Sequence, residues 1–155
     1  MFLHLLYIRF STQLIHFHSG SDHEAHMIKI LHVEDDADIR EIAKLALSLS
    51  GQFEVLQCAS GQEALQQVGT FRPDVLLLDM MMPGMTGCEV LDKIREMPSI
   101  PFGLTIFMTA RAQHAEIERL HACGAASVIS KPFDPLLLGD QIMAVLDEHR
   151  IKLSA

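Results

Sequence analysis

Three observations predict an α/β fold built on a doubly wound, mostly parallel five-stranded sheet. Five short apolar runs alternate strictly with five helical patterns between Ile28 and about residue 150. One run, Val75-Leu76-Leu77-Leu78, is apolar at four consecutive positions, as a strand covered on both faces must be. Several runs also stop abruptly on a polar side chain, at the strand ends where open α/β sheets place their ligand sites. A chain of 155 residues holds one domain with one real core. Strict alternation then requires helices on both faces of the sheet and right-handed crossovers.

The first strand is Ile28-Lys29-Ile30-Leu31-His32-Val33, and it runs straight into Glu34-Asp35-Asp36. Residues 36–50 carry a helical stripe at Ile39, Ala43, Ala46 and Leu47, ended by Ser50-Gly51. Phe53 to Cys58 is the second strand. Ser60 and Glu63 have capping-box spacing and open a helix through about Val68. The third strand ends at Asp79, and Pro83-Gly84 forces a turn. A helix from Gly87 to Met97 turns Val90, Leu91 and Ile94 inward, and Pro98 and Pro101 close it. Leu104 to Thr109 is the fourth strand, and Gln113 to Ala122 a helix stopped at Gly124. The fifth strand, Ala126 to Ser130, meets Lys131-Pro132. Asp134 caps a last helix with Leu138, Ile142, Val145 and Leu146 on one face.

A net charge of −8 argues against a nucleic-acid-binding surface, since phosphate contacts need clustered Lys and Arg. The three cysteines, Cys58, Cys88 and Cys123, are odd in number with no CxxC spacing. They read as small buried apolar residues of a reducing, cytoplasmic setting. Residues 1–26 do not match the remainder, being apolar and aromatic to Phe17 and holding five of the nine histidines. His4 and Arg9 interrupt the uninterrupted core a signal peptide needs, and the run is too short to cross a membrane. The His16-x-His18 and His23-x-x-His26 spacings lack matching carboxylates or thiolates for a metal tract. The expected organisation is an extension over 1–26 with no part in the fold, a domain over 27–150 and a tail over 151–155.

In a parallel sheet the C-terminal strand ends share one rim. That rim collects Glu34 and Asp35 after the first strand, Asp79 after the third, Thr109 after the fourth and Lys131 after the fifth. Singly, each has a plain explanation: a strand-end Asp or Thr often caps a helix, an acidic run suits a helix N-terminus, and a Lys-Pro is often mere surface. Together they form a chemical constellation. Three close carboxylates repel and need a cation, and oxygen-only donors suit Mg2+. A lysine and a hydroxyl opposite would neutralise and hydrogen-bond an anion arriving at Asp79. The arrangement fits a carboxylate nucleophile that accepts a phosphoryl group.

Val33-Glu34-Asp35-Asp36, Leu78-Asp79-Met80-Met81-Met82-Pro83-Gly84-Met85-Thr86-Gly87, Met108-Thr109-Ala110-Arg111, Gly124-Ala125 and Ser130-Lys131-Pro132-Phe133 carry a resemblance. From Ile28 to about Glu148 the chain resembles the receiver domain of two-component response regulators. The resemblance implies a flavodoxin-like fold with strand order 2-1-3-4-5 and Asp79 as phospho-acceptor. It implies Mg2+ held by Asp35, Asp79 and the Met81 backbone carbonyl, with Glu34 acting through a bound water. Thr109 would read the phosphoryl group and Lys131 would pair with it. The implied donor is a histidine kinase or histidine phosphotransfer protein, and the implied recipient a downstream regulator protein. A phosphorylation-dependent dimer is compatible with the same output.

Two departures matter. Many receivers carry Tyr or Phe three residues before the lysine, and here that position is Val128, too stiff and small for an aromatic switch. The last predicted helix also closes the sequence, so the expected output is a protein contact, with no direct DNA binding and no membrane partner. Two competing readings are an aspartyl-nucleophile phosphatase and a degenerate receiver that only binds. The haloacid-dehalogenase pattern needs an acid two residues after the nucleophile, where this chain has Met81. The degenerate reading conflicts with the presence of all five expected site residues. The chain is therefore expected to turn over no substrate beyond its own phosphoryl group.

Overall fold

The computed structural model describes residues 27–154, with side chains as far as Arg150. The expectation for residues 1–26 lies outside the described residues. Among the described residues five strands alternate with five helices: β1 (Ile28–Val33), α1 (Ala37–Ser48), β2 (Phe53–Cys58), α2 (Gly61–Phe71), β3 (Val75–Asp79), α3 (Gly87–Glu96), β4 (Leu104–Thr109), α4 (His114–Cys123), β5 (Ser127–Ser130) and α5 (Leu138–Ser154). The strands form one parallel sheet in the order β2-β1-β3-β4-β5. That is the doubly wound architecture expected from the alternation.

The period of two along each strand divides the core into two layers. Ile30, Val75, Leu77, Ile106 and Met108 point to one face and meet Ala43, Leu47, Leu138 and Ile142 from α1 and α5. Leu31, Val33, Leu76, Leu78 and Phe107 point to the other and meet Ala64, Val68, Val90, Leu91, Ile94 and Leu120 from α2, α3 and α4. Every residue of β3 is buried, so Asp79 ends the strand that the whole core surrounds.

Local chemistry sets the helix starts. Asp36 caps α1 by accepting from the Asp38 and Ile39 amides. Thr86 caps α3 in a full capping box with Glu89. At α2 the box is displaced: Ser60 accepts from the Glu63 amide, but the Glu63 carboxylate reaches back to the Ala59 amide at 2.7 Å. α2 also runs past Val68 to Phe71, and Arg72 ends it in the left-handed region at φ 52. Its amide returns to Val68 O, so a cap forms without the glycine that sequence reading looks for. Asp134 caps a turn over residues 135–137 that leads into α5. Among the described residues no helix is long and apolar enough to cross a membrane.

Candidate functional site

The C-terminal strand ends bring the predicted residues onto one rim. Glu34 follows β1, Asp79 ends β3, Thr109 ends β4 and Lys131 follows β5. The simple capping explanations do not account for them. Thr86, not Asp79, caps α3, and Gln113, not Thr109, precedes α4. In the acidic run Asp36 alone takes the cap, which leaves Glu34 and Asp35 for other work.

Lys131 is the joint of the site. Its Nζ donates to Asp79 Oδ1 at 2.8 Å and to Glu34 Oε2 at 2.9 Å. Glu34 and Asp79 are buried, 1 % and 3 % exposed, whereas Asp35 is exposed. Carboxylate oxygens of Glu34, Asp35 and Asp79 lie within 4.8 Å of one another. The other Glu34 oxygen accepts the Asp36 amide at 3.1 Å, so both of its oxygens already have protein partners. Thr109 is 1 % exposed, and its hydroxyl oxygen accepts the Arg111 amide at 3.1 Å. Met81 lies two residues beyond Asp79 in the loop before α3, and its backbone amide faces the Asp79 carboxylate.

Burial dominates the protonation chemistry. It pushes Asp79 and Glu34 above the usual carboxylate range, although the hydrogen bonds from Lys131 pull both back. Burial pulls Lys131 down, but its bonds to Asp79 and Glu34 more than compensate, so the net shift is upward and the ammonium keeps its charge. The site is therefore two buried carboxylates bridged by one ammonium, with a third carboxylate at the solvent edge. Hard oxygen donors in a tight group fit a small hard cation. Glu34, Asp35 and Asp79 each offer one carboxylate oxygen to such an ion.

Sequence reasoning missed the layer beneath the rim. Arg40 of α1 donates to the Glu34 and Asp35 carbonyls, each at 2.8 Å. Gln57 Nε2 donates to the Arg40 carbonyl at 2.7 Å and meets His32 Nδ1 at 3.0 Å. The available signal was that His32 and Gln57 are polar residues within apolar strands, and they pair in register.

Comparison with known proteins agrees with this geometry. The response regulator receiver domain family matches residues 30–143. The chain is 38 % identical over 117 residues to the transcriptional regulatory protein CseB of Streptomyces coelicolor, covering 76 % of this chain and 48 % of that one. It is also 38 % identical over 117 residues to the transcriptional regulatory protein YvrH of Bacillus subtilis, with the same coverage. The chain thus spans about half the length of the curated relatives it matches. Among solved structures, the chemotaxis protein CheY4 of Vibrio cholerae superposes with a TM-score of 0.71 at 32 % identity, covering 77 % of this chain and 99 % of that one. A CheY-like receiver domain protein from Methanospirillum hungatei gives 0.70 at 28 % identity, covering 82 % and 99 %. The chain belongs to the family of response regulator receiver domains, the phospho-accepting modules of two-component systems.

Proposed function

We propose that Asp79 is the residue that accepts the phosphoryl group, from a histidine kinase or a histidine phosphotransfer protein. The single observation that carries this reading is the Lys131 ammonium 2.8 Å from the Asp79 carboxylate, at the end of a fully buried strand. A nucleophile there needs a fixed direction and a cation beside it, and Lys131 supplies both.

In the transfer, an Asp79 oxygen attacks phosphorus, the O–P bond forms and the P–N bond to the donor imidazole breaks. The imidazole leaves with its electron pair and takes up a proton. Lys131 offsets the charge that arrives, and the Thr109 hydroxyl donates to a phosphoryl oxygen once the group is in place. Asp35, Asp79 and the Met81 carbonyl would hold Mg2+, with Glu34 acting through a bound water. When bound there it would lower the repulsion between the incoming phosphoryl oxygens and the acidic cluster. Hydrolysis of the acyl phosphate resets the domain, which turns over no other substrate.

Output runs through protein contact. The face made by α4, β5 and α5 carries a groove of about 460 Å3 between the β5 edge and α5, lined in part by Val128, Ile129, Gln141 and Val145. A downstream regulator or a second phosphorylated copy would dock there. The setting is the cytoplasm, where the phosphohistidine donors of such systems act.

The test is direct. Incubation with acetyl phosphate and Mg2+, followed by mass spectrometry, should locate a base-labile, hydroxylamine-sensitive adduct on Asp79. Asp79→Asn should abolish it, and undiminished labelling of that variant would move the acceptor elsewhere.

A further inference from the structure

Arg40 makes an unusual choice of partners. Its guanidinium sits beside an acidic run, yet it makes no ion pair among the described residues. Instead one guanidinium nitrogen donates to two successive backbone carbonyls, those of Glu34 and Asp35. The Arg40 backbone is itself tied down, because Gln57 from β2 donates to its carbonyl while touching His32 of β1. The loop that carries the acids is thereby fastened to both the sheet and α1.

The consequence falls on Asp35. Glu34 is held through its own side chain by Lys131 and the Asp36 amide. The Asp35 carboxylate is exposed and accepts no hydrogen bond from the described residues. Its direction therefore depends on the backbone beneath it, and Arg40 grips that backbone. Charge alone would make Arg40 a poor neighbour for a cation site, since a guanidinium repels a divalent ion. Its contribution must be geometric to be favourable.

We infer that Arg40 is a positioning residue for divalent-cation binding, fixing the loop from which Asp35 presents its carboxylate toward Asp79. The inference rests on the reading that Glu34, Asp35 and Asp79 hold a divalent cation. Mg2+ demands near-ideal octahedral geometry and Ca2+ tolerates an irregular shell. Loosening the loop should therefore penalise Mg2+ more than Ca2+.

The experiment is titration of the full chain with Mg2+ alone and Ca2+ alone, for the wild type, Arg40→Met, Arg40→Lys and Asp35→Ala. Arg40→Met should weaken Mg2+ by about tenfold, the usual scale for groups that orient a ligand, and weaken Ca2+ by less. Arg40→Lys keeps the charge and one nitrogen donor group but on a shorter stem without the rigid planar guanidinium, so it should fall between. It also serves if Arg40→Met does not fold. Equal losses for both ions would mark Arg40 as a general stabiliser and overturn the inference. Unchanged or tighter Mg2+ binding in Arg40→Met would show it acting as a charge and also overturn it. A different result tests the underlying reading: no Mg2+ binding by the wild type, with Asp35→Ala indistinguishable from it, would remove the cation site itself.

Discussion

At the scale of single residues, three side chains outside the Lys131 bridge give two separable predictions. Met81 is 59 % exposed two residues after Asp79, the proposed acceptor, and Arg111 is exposed two residues after Thr109. Neither can act as a base for an attacking water near neutral pH, and both are bulky enough to obstruct its approach. The phosphorylated state should be long-lived, and Met81→Asn should shorten it several-fold in a decay assay; an unchanged rate would refute the steric account. His32 predicts a pH effect. It is fully buried, its Nε2 has no partner among the described residues, and burial lowers its pKa from 6.5 to about 4, helped by the nearby Lys131 and Arg40 charges. Below its ordinary pKa the unfolded chain takes up a proton that the folded one refuses. Stability is thus lost as pH falls through the interval from 6.5 to about 4. The loss should reach about 2 kcal/mol between roughly pH 7 and roughly pH 5. The raised carboxylates of Glu34 and Asp79 act in the opposite sense, because the folded state protonates them first. Denaturation of wild type and His32→Leu in chelator at both pH values isolates the histidine: the variant should lack its share of the acid sensitivity. A parallel pH response in the two proteins would show that His32 does not carry it.

At the scale of elements, the start of α3 is held to the end of β3 with no room for a side chain. A Cβ on Gly87 would fall 2.5 Å from the Asp79 carbonyl and 2.9 Å from the Phe107 ring. The carbonyl belongs to the strand end and cannot swing aside, so Gly87→Ala should cost about 1–3 kcal/mol. It should also slow labelling, because relief of the clash displaces Asp79. Denaturant midpoints and labelling rates check the two effects, and a variant with both unchanged would show the packing to be slack. Much at this scale was legible in the sequence. The apolar run of β3, the stripes of α1 and α3 and the glycine stop at Gly124 follow from periodicity and turn chemistry, which are local. The extra turn of α2 was not legible, because it depends on Arg72 adopting a left-handed conformation that its residue type does not announce. The displaced cap at Ala59 escaped for a similar reason, since box spacing does not specify which amide the Glu63 carboxylate reaches.

At the scale of the whole molecule, the signal must cross from the rim to a surface. Thr109 and Lys131 lie on the two ends nearest α4 and β5, and Val128, paired with Phe107 across the sheet, offers no aromatic ring to turn. A phosphoryl mimic should therefore alter amide exchange first over residues 110–115 and near Lys131. Changes confined to α1 and α2 would place the output face elsewhere. The grouping of Glu34, Asp79, Thr109 and Lys131 was also legible, because parallel strands deliver their ends to one side whatever the distance along the chain. The grip of Arg40 was not. A long side chain reaching two carbonyls obeys no periodicity, and only the folded structure reveals it.

The Lys131–Glu34 contact joins residues 97 positions apart. A chain leaving the ribosome exposes Glu34 first and Asp79 later, and both acids then wait for a counter-ion that is made only after β5. Until β5 docks against β4, a carboxylate at position 79 has neither its direction nor its charge partner. A nascent, truncated or partly unfolded copy should therefore be a poor phosphoryl acceptor even though it contains Asp79. If Asp79 is the acceptor, a donor that meets a mixture of finished and unfinished copies would load only the finished ones, and the architecture itself would screen the modified pool.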